Sequence, residues 1–206
     1  VQGKKWDLIV TMDDATSEIY SMFFVNEEGT MSTFRALDEV ISKKGLFCSL
    51  YTDRGSHYWV TPKAGGKVDK TNLTQVGRAL GQLGIEHIAG YSPEARGRSE
   101  RMFETLQGRL PQELRLRGVS ELDQANDFLQ REFLPEHNKR FSVPSEEAES
   151  AFIPFVDSAL QEILCGQGKR TVSNDNTVNY KRLSLQIPAD KHRLHYVKAK
   201  VRVHEY

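Results

Sequence analysis

Along the first ninety residues the apolar positions keep changing period, and each change marks an element. Residues 6–12 and 18–25 are apolar and rich in β-formers, and the turn-forming Asp13-Asp14-Ala15-Thr16-Ser17 between them predicts a β-hairpin. Phe34, Leu37, Val40 and Ile41 then recur at helical spacing, and Gly45 ends that helix. Residues 47–52 read as the next strand, which stops at Asp53 and gives way to the polar loop PKAGGKVDKT. Val76, Leu80 and Leu83 mark a helix closed by Gly84, with a short strand at 85–88 beyond it. Strands alternating with helices predict an α/β sheet of mixed strand order.

The second half is helical first and β-like last. From Gly97 the pattern is helical to Arg117 and stops at Gly118. Ser120 caps a second helix running to about Phe133, with Asp123 completing a box-like start. A proline-bearing stretch, FSVPSEEAESAFIPF, crosses to a last short helix at 157–164. Beyond Gly166, VSNDNTVNYKRLSLQIP and LHYVKAKVRVHEY alternate apolar and polar residues, as half-exposed strands do. The expected division is 1–165, an α/β core, and 166–206, a tail too short for a fold of its own that reads as part of a small β-barrel.

Composition adds limits. Hydrophobic residues make up 38% and charged residues 27% of the 206, an ordinary globular balance. No apolar run approaches the roughly 18 residues of a membrane span, and VQGKKWDLIV carries no small-residue cleavage site of a secretory signal. Cys48 and Cys165 lie far apart, which points to free thiols in a reducing compartment rather than to cysteine-bound metal. The formal net charge is zero, yet residues 96–117 hold six Arg against three Glu, and residues 169–206 hold nine Lys and Arg against three acids. Residues 121–162 balance them with ten acids against three basic residues. Two basic blocks inside a neutral sum suit a polyanionic partner.

Two acids stand out. Asp53 ends an apolar strand in SLYTDRGSH although Asp is a poor strand former, and Gly55 follows at once. Such an acid is either a turn former, through its own hydrogen bonding, or a site residue. Glu100, in SPEARGRSERMFETLQGRL, opens a helix, where the macrodipole alone favours an anion. Arg96, Arg98 and Arg101 surround it, Gly97 frees the backbone and Ser92-Pro93 sets the entry. Three arginines beside one carboxylate suit a site where phosphate must approach a negative centre.

YTDRGSHY, followed by YSPEARGRSERMFETLQGRL and by HNKRFSVP, resembles the catalytic core of DDE-type transposases and retroviral-like integrases over about residues 6–155. The basic tail resembles the start of the small barrel that follows the core in Mu-like and related bacterial transposases. The resemblance implies an RNase H-like, mixed five-stranded sheet with flanking helices, followed by a partial small β-barrel. It implies DNA cleavage and strand transfer at mobile-element ends, with double-stranded DNA (element ends and target) as partner. A homo-oligomer in the active complex, a bacterial cytoplasmic location and no membrane go with it. Asp53 and Glu100 are the implied catalytic and metal-holding acids, and two Mg²⁺ or Mn²⁺ ions the implied cofactors. Arg54, Arg96, Arg98, Arg101, Gln107, Lys198, Lys200 and Arg202 are the implied DNA contacts. The physics agrees: paired divalent ions activate an attacking oxygen and neutralise a leaving one, and Mg²⁺ keeps several waters, so a few carboxylates suffice.

Two positions depart from the pattern. The family needs a third acid, and TMDDAT resembles the end of its second strand, where an Asp is not a ligand; the first acid is expected just upstream of Val1, with Asp13 as the alternative. Gln107, on the same helical face as Glu100, stands where many relatives carry a phosphate-holding Lys. His57, His87, His137, His192, His195 and His204 show no metal-ligand spacing, and Trp6 and Trp59 read as packing. Two other readings stay open, a catalytically silent DNA-binding or assembly module and an RNase H-like nuclease. The basic tail favours the transposase, since a plain nuclease has less need of a second DNA-holding module.

Overall fold

A computed structural model describes residues 5–63, 65–91, 97–147, 149–156, 159–191 and 193–206. The chain divides into two compact units between Leu164 and Cys165. The first contains, in order, β1 (Asp7–Met12), β2 (Ile19–Val25), α1 (Thr30–Lys44), β3 (Ser49–Thr52), α2 (Gln75–Leu83), β4 (Glu86–Ala89), α3 (Gly97–Leu116), α4 (Leu122–Phe128), a π-helical turn (Leu129–Phe133), α5 (Leu134–Phe141) and α6 (Leu160–Ile163).

β1 and β2 form the expected antiparallel hairpin, with Ile9 opposite Phe23 and Val10 opposite Met22. β2 reads IYSMFFV without alternation, because helices bury both of its faces. On one side Ile9 and Phe23 pack against Ala36 of α1. On the other, Met22 and Phe24 meet Leu106, Leu110 and Leu114 of α3 with Ala125 and Phe128 of α4. The three leucines recur every four residues along one stripe of α3, and each contributes about 1.5–3 kcal/mol by its burial. A second core joins Phe34, Leu37 and Ile41 of α1 to Val76 and Leu80 of α2 and Leu160 of α6, beneath the parallel pair β3–β4. α1 ends at Gly45, whose φ of +105° favours glycine and where a Cβ would lie 2.4 Å from the Ile153 carbonyl oxygen.

The outer edge of β2 is sealed by side chains. Asn138 accepts from the Ile19 amide at 2.9 Å and donates to its carbonyl at 2.8 Å; Asn126 does the same to Phe24 at 2.7 and 3.1 Å. Gln130 donates to the Met22 carbonyl at 2.6 Å. These carboxamides occupy backbone groups that an edge strand otherwise leaves open. Asn138, in the HNKRF segment, therefore sits at a packing position.

The second helix runs further than its sequence predicts. Glu121, not Ser120, is the N-cap of α4, and the helical path continues past Phe133 to Phe141. Pro135 does not stop it because the preceding turn is π-helical, with the Leu134 amide bonding back to Leu129, five residues away. The last short helix is Leu160–Ile163; residues 157–158 of the expected span lie outside the described residues. The five-stranded sheet expected from the resemblance is not formed by the described residues. β1 hydrogen-bonds only to β2, and β3 only to β4, which leaves two separate two-stranded sheets.

The second unit, Cys165–Tyr206, holds β5 (Gly166–Thr171), β6 (Thr177–Tyr180), β7 (Leu183–Gln186) and β8 (Lys200–Glu205). β5 pairs antiparallel with β8, and β6 with β7. β5 reads GQGKRT and carries no large apolar side chain, so its strand character has no mark in the hydrophobic pattern. The Tyr180 ring closes over Gly168, where a Cβ would come within 2.7 Å of it, and its hydroxyl donates to Glu205 at 3.1 Å.

Candidate functional site

Asp53 is the first residue beyond β3 and is exposed. Its Oδ1 accepts from the Gly55 amide at 2.8 Å, a tight turn of the kind Asp favours. Oδ2 has no partner among the described residues. Gly55 is needed here for space rather than for a left-handed backbone: a Cβ would lie 3.0 Å from Asp53 Oδ1 and 3.2 Å from the His57 ring.

The loop that Asp53 opens is closed at its base. The Gly55 carbonyl accepts from the amides of both Tyr58 and Trp59, at 3.0 and 2.9 Å. Trp59 is buried, stacks on His87 with ring centres 3.8 Å apart, and donates its indole N–H to Thr52 Oγ1 at 2.9 Å. Thr52 Oγ1 is also 2.9 Å from His87 Nε2. Burial pushes the His87 pKa down from 6.5 to about 4, so the ring is neutral near pH 7. Thr74, the N-cap of α2, accepts from Gly77 at 3.1 Å and donates to the Tyr58 carbonyl at 2.8 Å. Burial, with the charges of Glu28 and Asp53 adding to it, raises the Tyr58 pKa to about 12. In the sequence Thr52 reads as a strand end, Trp59 as packing and His87 as a histidine without metal-ligand spacing. Their register across β3 and β4, which only the fold supplies, is what connects them to Asp53.

Glu100 lies in the first turn of α3, exposed and with no hydrogen bond or ion pair to a described residue. Arg101, also exposed, donates to the Gly97 carbonyl at 3.1 Å and faces a cleft of about 320 Å³ that it shares with Met12, Ser17 and His137. Arg96 lies outside the described residues, as does the side chain of Arg98. Gln107 is exposed one face-repeat further along α3. Arg54 donates to the Gly66 carbonyl at 3.2 Å and lies 5.3 Å from the Tyr91 ring centre, which ties it to the polar loop.

Asp13 is placed differently. Its Oδ2 accepts from both the amide and the hydroxyl of Thr16, at 2.9 and 2.6 Å, inside the β1–β2 turn. Among the described residues no group of three His, Cys, Asp or Glu side chains is gathered for a metal.

The basic residues of the second unit sort by face. Arg170 donates to the Asn179 carbonyl at 3.2 Å and Lys181 pairs with Glu205 at 2.5 Å, so both are held within the fold. Lys169 and Arg202 stand directly opposite each other, with Thr171 and Lys200 the next pair on that face. Lys169, Lys200 and Arg202 are exposed and pair with no acid among the described residues. Like charges facing each other across a ladder cost stability unless a polyanion joins them. Lys198, just outside β8 with φ +62°, is exposed and donates its amide to the Val172 carbonyl.

No protein-family model matches the chain. Along its whole length it is 32% identical to a protein of Sinorhizobium fredii (strain NBRC 101917 / NGR234) named as a transposase, y4bF, and it spans 45% of that protein. Over 123 residues, 60% of the chain, it is 32% identical to the transposase for insertion sequence IS1202 of Streptococcus pneumoniae, spanning 26% of that protein. The chain thus covers less than half the length of either relative. Among solved structures it is similar to a chain of the simian T-cell lymphotropic virus intasome in complex with PP2A regulatory subunit B56 gamma. That likeness has 15% identity and a TM-score of 0.41, covering 98% of this chain and 78% of the other. The two sequence matches support a relationship to insertion-sequence transposases. Among the described residues no helix is long and apolar enough to cross a membrane.

Proposed function

We propose that this chain is the catalytic-core portion of an RNase H-like, DDE-type transposase that cleaves and joins double-stranded DNA at mobile-element ends with divalent metal, acting as an oligomer. One observation carries the reading. In a chain similar along its whole length to a transposase, Asp53 stands exposed at the end of a parallel strand pair with one carboxylate oxygen free. The donors fit Mg²⁺ or Mn²⁺: Asp53 and Glu100 are hard oxygen ligands, solvent-facing, and neither is held by a lysine or arginine among the described residues. When bound, the metal activates the attacking oxygen and stabilises the leaving one. Asp53 and Glu100 hold it, and Arg98 and Arg101 draw the phosphate toward those acids. The third acid comes from outside the described residues, on a strand that completes the sheet along the open edges of β1 and β3.

The exposed Lys169, Lys200 and Arg202 face favours a second reading, a DNA-holding module without chemistry of its own. Supercoiled plasmid and linear duplex incubated in Mg²⁺ or Mn²⁺ with this chain, and with an N-terminally extended one, separate the two. The expected result is metal-dependent nicking or joining by the extended chain, lost in Asp53→Asn and Glu100→Gln. Salt-dependent binding without nicking by either chain supports the second reading. In that case each phosphate contact adds about −0.9 to the slope of log K against log salt, and charge reversal at Lys200 or Arg202 flattens it by roughly one unit.

A further inference from the structure

We propose that Thr52, Trp59 and His87 form a hydrogen-bonded clamp that positions Asp53, an inference that rests on reading Asp53 as a metal-holding acid. β3 is four residues long, and Asp53 lies one residue beyond it in a loop, where a carboxylate has little to hold it. Metal-holding side chains work only when their supports fix them closely. Here the support comes from beneath. An indole N–H can only donate, so Trp59 uses the Thr52 oxygen as acceptor. Thr52 Oγ1 also meets His87 Nε2 at 2.9 Å, donating to it or accepting from it according to which imidazole nitrogen carries the proton. The result is a hydrogen-bonded link from Trp59 through Thr52 to His87, with the indole stacked flat on the imidazole.

Simple core packing explains less than this geometry contains. A buried Trp needs an acceptor, and any nearby carbonyl suffices. The acceptor used is the side chain immediately before Asp53, and Trp59 reaches it by folding back over the loop that Asp53 begins. Gly55 fastens that loop at both ends, donating to Asp53 Oδ1 and accepting from the Tyr58 and Trp59 amides. On the far strand the Thr52 carbonyl accepts from the Gly90 amide at 2.8 Å, so the Thr52 backbone and side chain are both tied to the β4 side. Every group that fixes Thr52 thus fixes where Asp53 leaves the sheet. Thr52, Trp59 and His87 are positioning residues, since none is proposed to touch metal or DNA.

The test uses the intact chain with Mn²⁺ as probe, read by paramagnetic broadening of the Asp53 resonances and, without metal, by amide order and hydrogen exchange over residues 53–57. Thr52→Val keeps the shape and removes the hydroxyl, Trp59→Phe removes the donor, and Thr52→Ser restores the hydroxyl. A cooperative thermal transition in each variant shows that it folds. Thr52→Val and Trp59→Phe are expected to weaken Mn²⁺ binding at Asp53 by roughly tenfold, the scale set by outer supports of metal ligands, and Thr52→Ser to recover most of it. Wild-type affinity in Thr52→Val and Trp59→Phe, or a Thr52→Ser variant as weak as Thr52→Val, overturns the clamp. If Mn²⁺ broadens Asp53 no more in the wild type than it does residue 53 in Asp53→Asn, the metal reading falls instead. The clamp is then decided on the metal-free protein: residues 53–57 mobilised in Thr52→Val sustain it, and unchanged order rejects it.

Discussion

Asp13 and Asp53 both follow an apolar strand, both fold their carboxylate back onto the turn they begin, and both lie beside a tyrosine whose pKa is raised to about 12. Each leaves one carboxylate oxygen without a partner among the described residues, and they differ in how the other oxygen is held and in exposure, Asp13 half-buried and Asp53 exposed. One Asp13 oxygen takes two hydrogen bonds from Thr16, in a turn that Asn138 and the Val143 amide also fasten, so that carboxylate serves as a structural tie. Asp53 gives one oxygen to Gly55 and is exposed, next to Thr52, whose side chain meets the stacked Trp59 and His87 rings. The same residue at the same kind of place thus has two fates, decided by what the next few residues donate. Thr at the third position after Asp13 closes its turn, whereas Gly at the second position after Asp53 supplies one amide and no side chain.

The largest expected difference is in chemistry. Asp53→Asn in the N-terminally extended chain is expected to bring metal-dependent DNA cleavage to background, while Asp13→Ala keeps it. Plasmid nicking checks this directly, and cleavage abolished by Asp13→Ala would reassign the acid.

Acid should strike the Asp53 side through His87. With its folded pKa near 4 and an unfolded value of 6.5, the unfolded chain takes up a proton between those values that the folded one refuses. Stability is therefore whole above pH 6.5 and falls as pH drops toward 4. His137, buried beside the Asp13 hairpin, is lowered in the same direction by burial and by the Arg109 charge. Denaturation between pH 7 and 4 in His87→Gln is expected to show a shallower loss than the wild type. An unchanged slope would place the acid sensitivity on the Asp13 side.

Asp13→Ala removes two hydrogen bonds from a half-buried turn and is expected to cost about 1–2 kcal/mol. Thermal unfolding checks it, at about 2–4 °C per kcal/mol for a unit of this size. A loss no larger than that of an exposed surface residue would mean that the turn is held by Asn138 and Val143 alone.

How much of this is legible in the sequence follows the same division. The hairpin, α1, α2 and α3 are written in period and punctuation, because each buries a stripe that its neighbours in sequence reveal. The β5 strand is not, since GQGKRT pairs through its backbone and hides no apolar side chain. The run of helix to Phe141 is not, because a π-turn cancels the stop that Pro135 signals. Asp53 is singled out by its place at a strand end, and Glu100 by its arginine neighbours. The support under Asp53 stays hidden, because Thr52 and His87 are 35 residues apart and meet only through parallel pairing. That Asp13 is tied into its turn is half legible: TMDDATSE has the look of a turn, but the pair of hydrogen bonds from Thr16 shows only in the folded chain.

The smallest expected effect on stability comes from Gly55→Ala, and it sharpens the contrast because stability and site should part company. Gly55 does not have the left-handed backbone of Gly45, so an alanine there meets no conformational penalty, and reduced freedom in the unfolded chain offsets mild crowding. The net change in stability is expected to stay below about 1 kcal/mol. The added Cβ nonetheless sits 3.0 Å from Asp53 Oδ1, closer than ordinary contact, so the carboxylate must move or give up the Gly55 amide. Nothing comparable exists at the Asp13 turn, where the partner is Thr16 and no glycine approaches the acid. Measured side by side, Gly55→Ala should unfold at nearly the wild-type temperature yet bind Mn²⁺ at Asp53 more weakly. Asp13→Ala should do the reverse, losing stability and keeping the metal. A Gly55→Ala chain that binds Mn²⁺ as the wild type does would show that Asp53 tolerates displacement, and that the tight turn around it serves the fold alone.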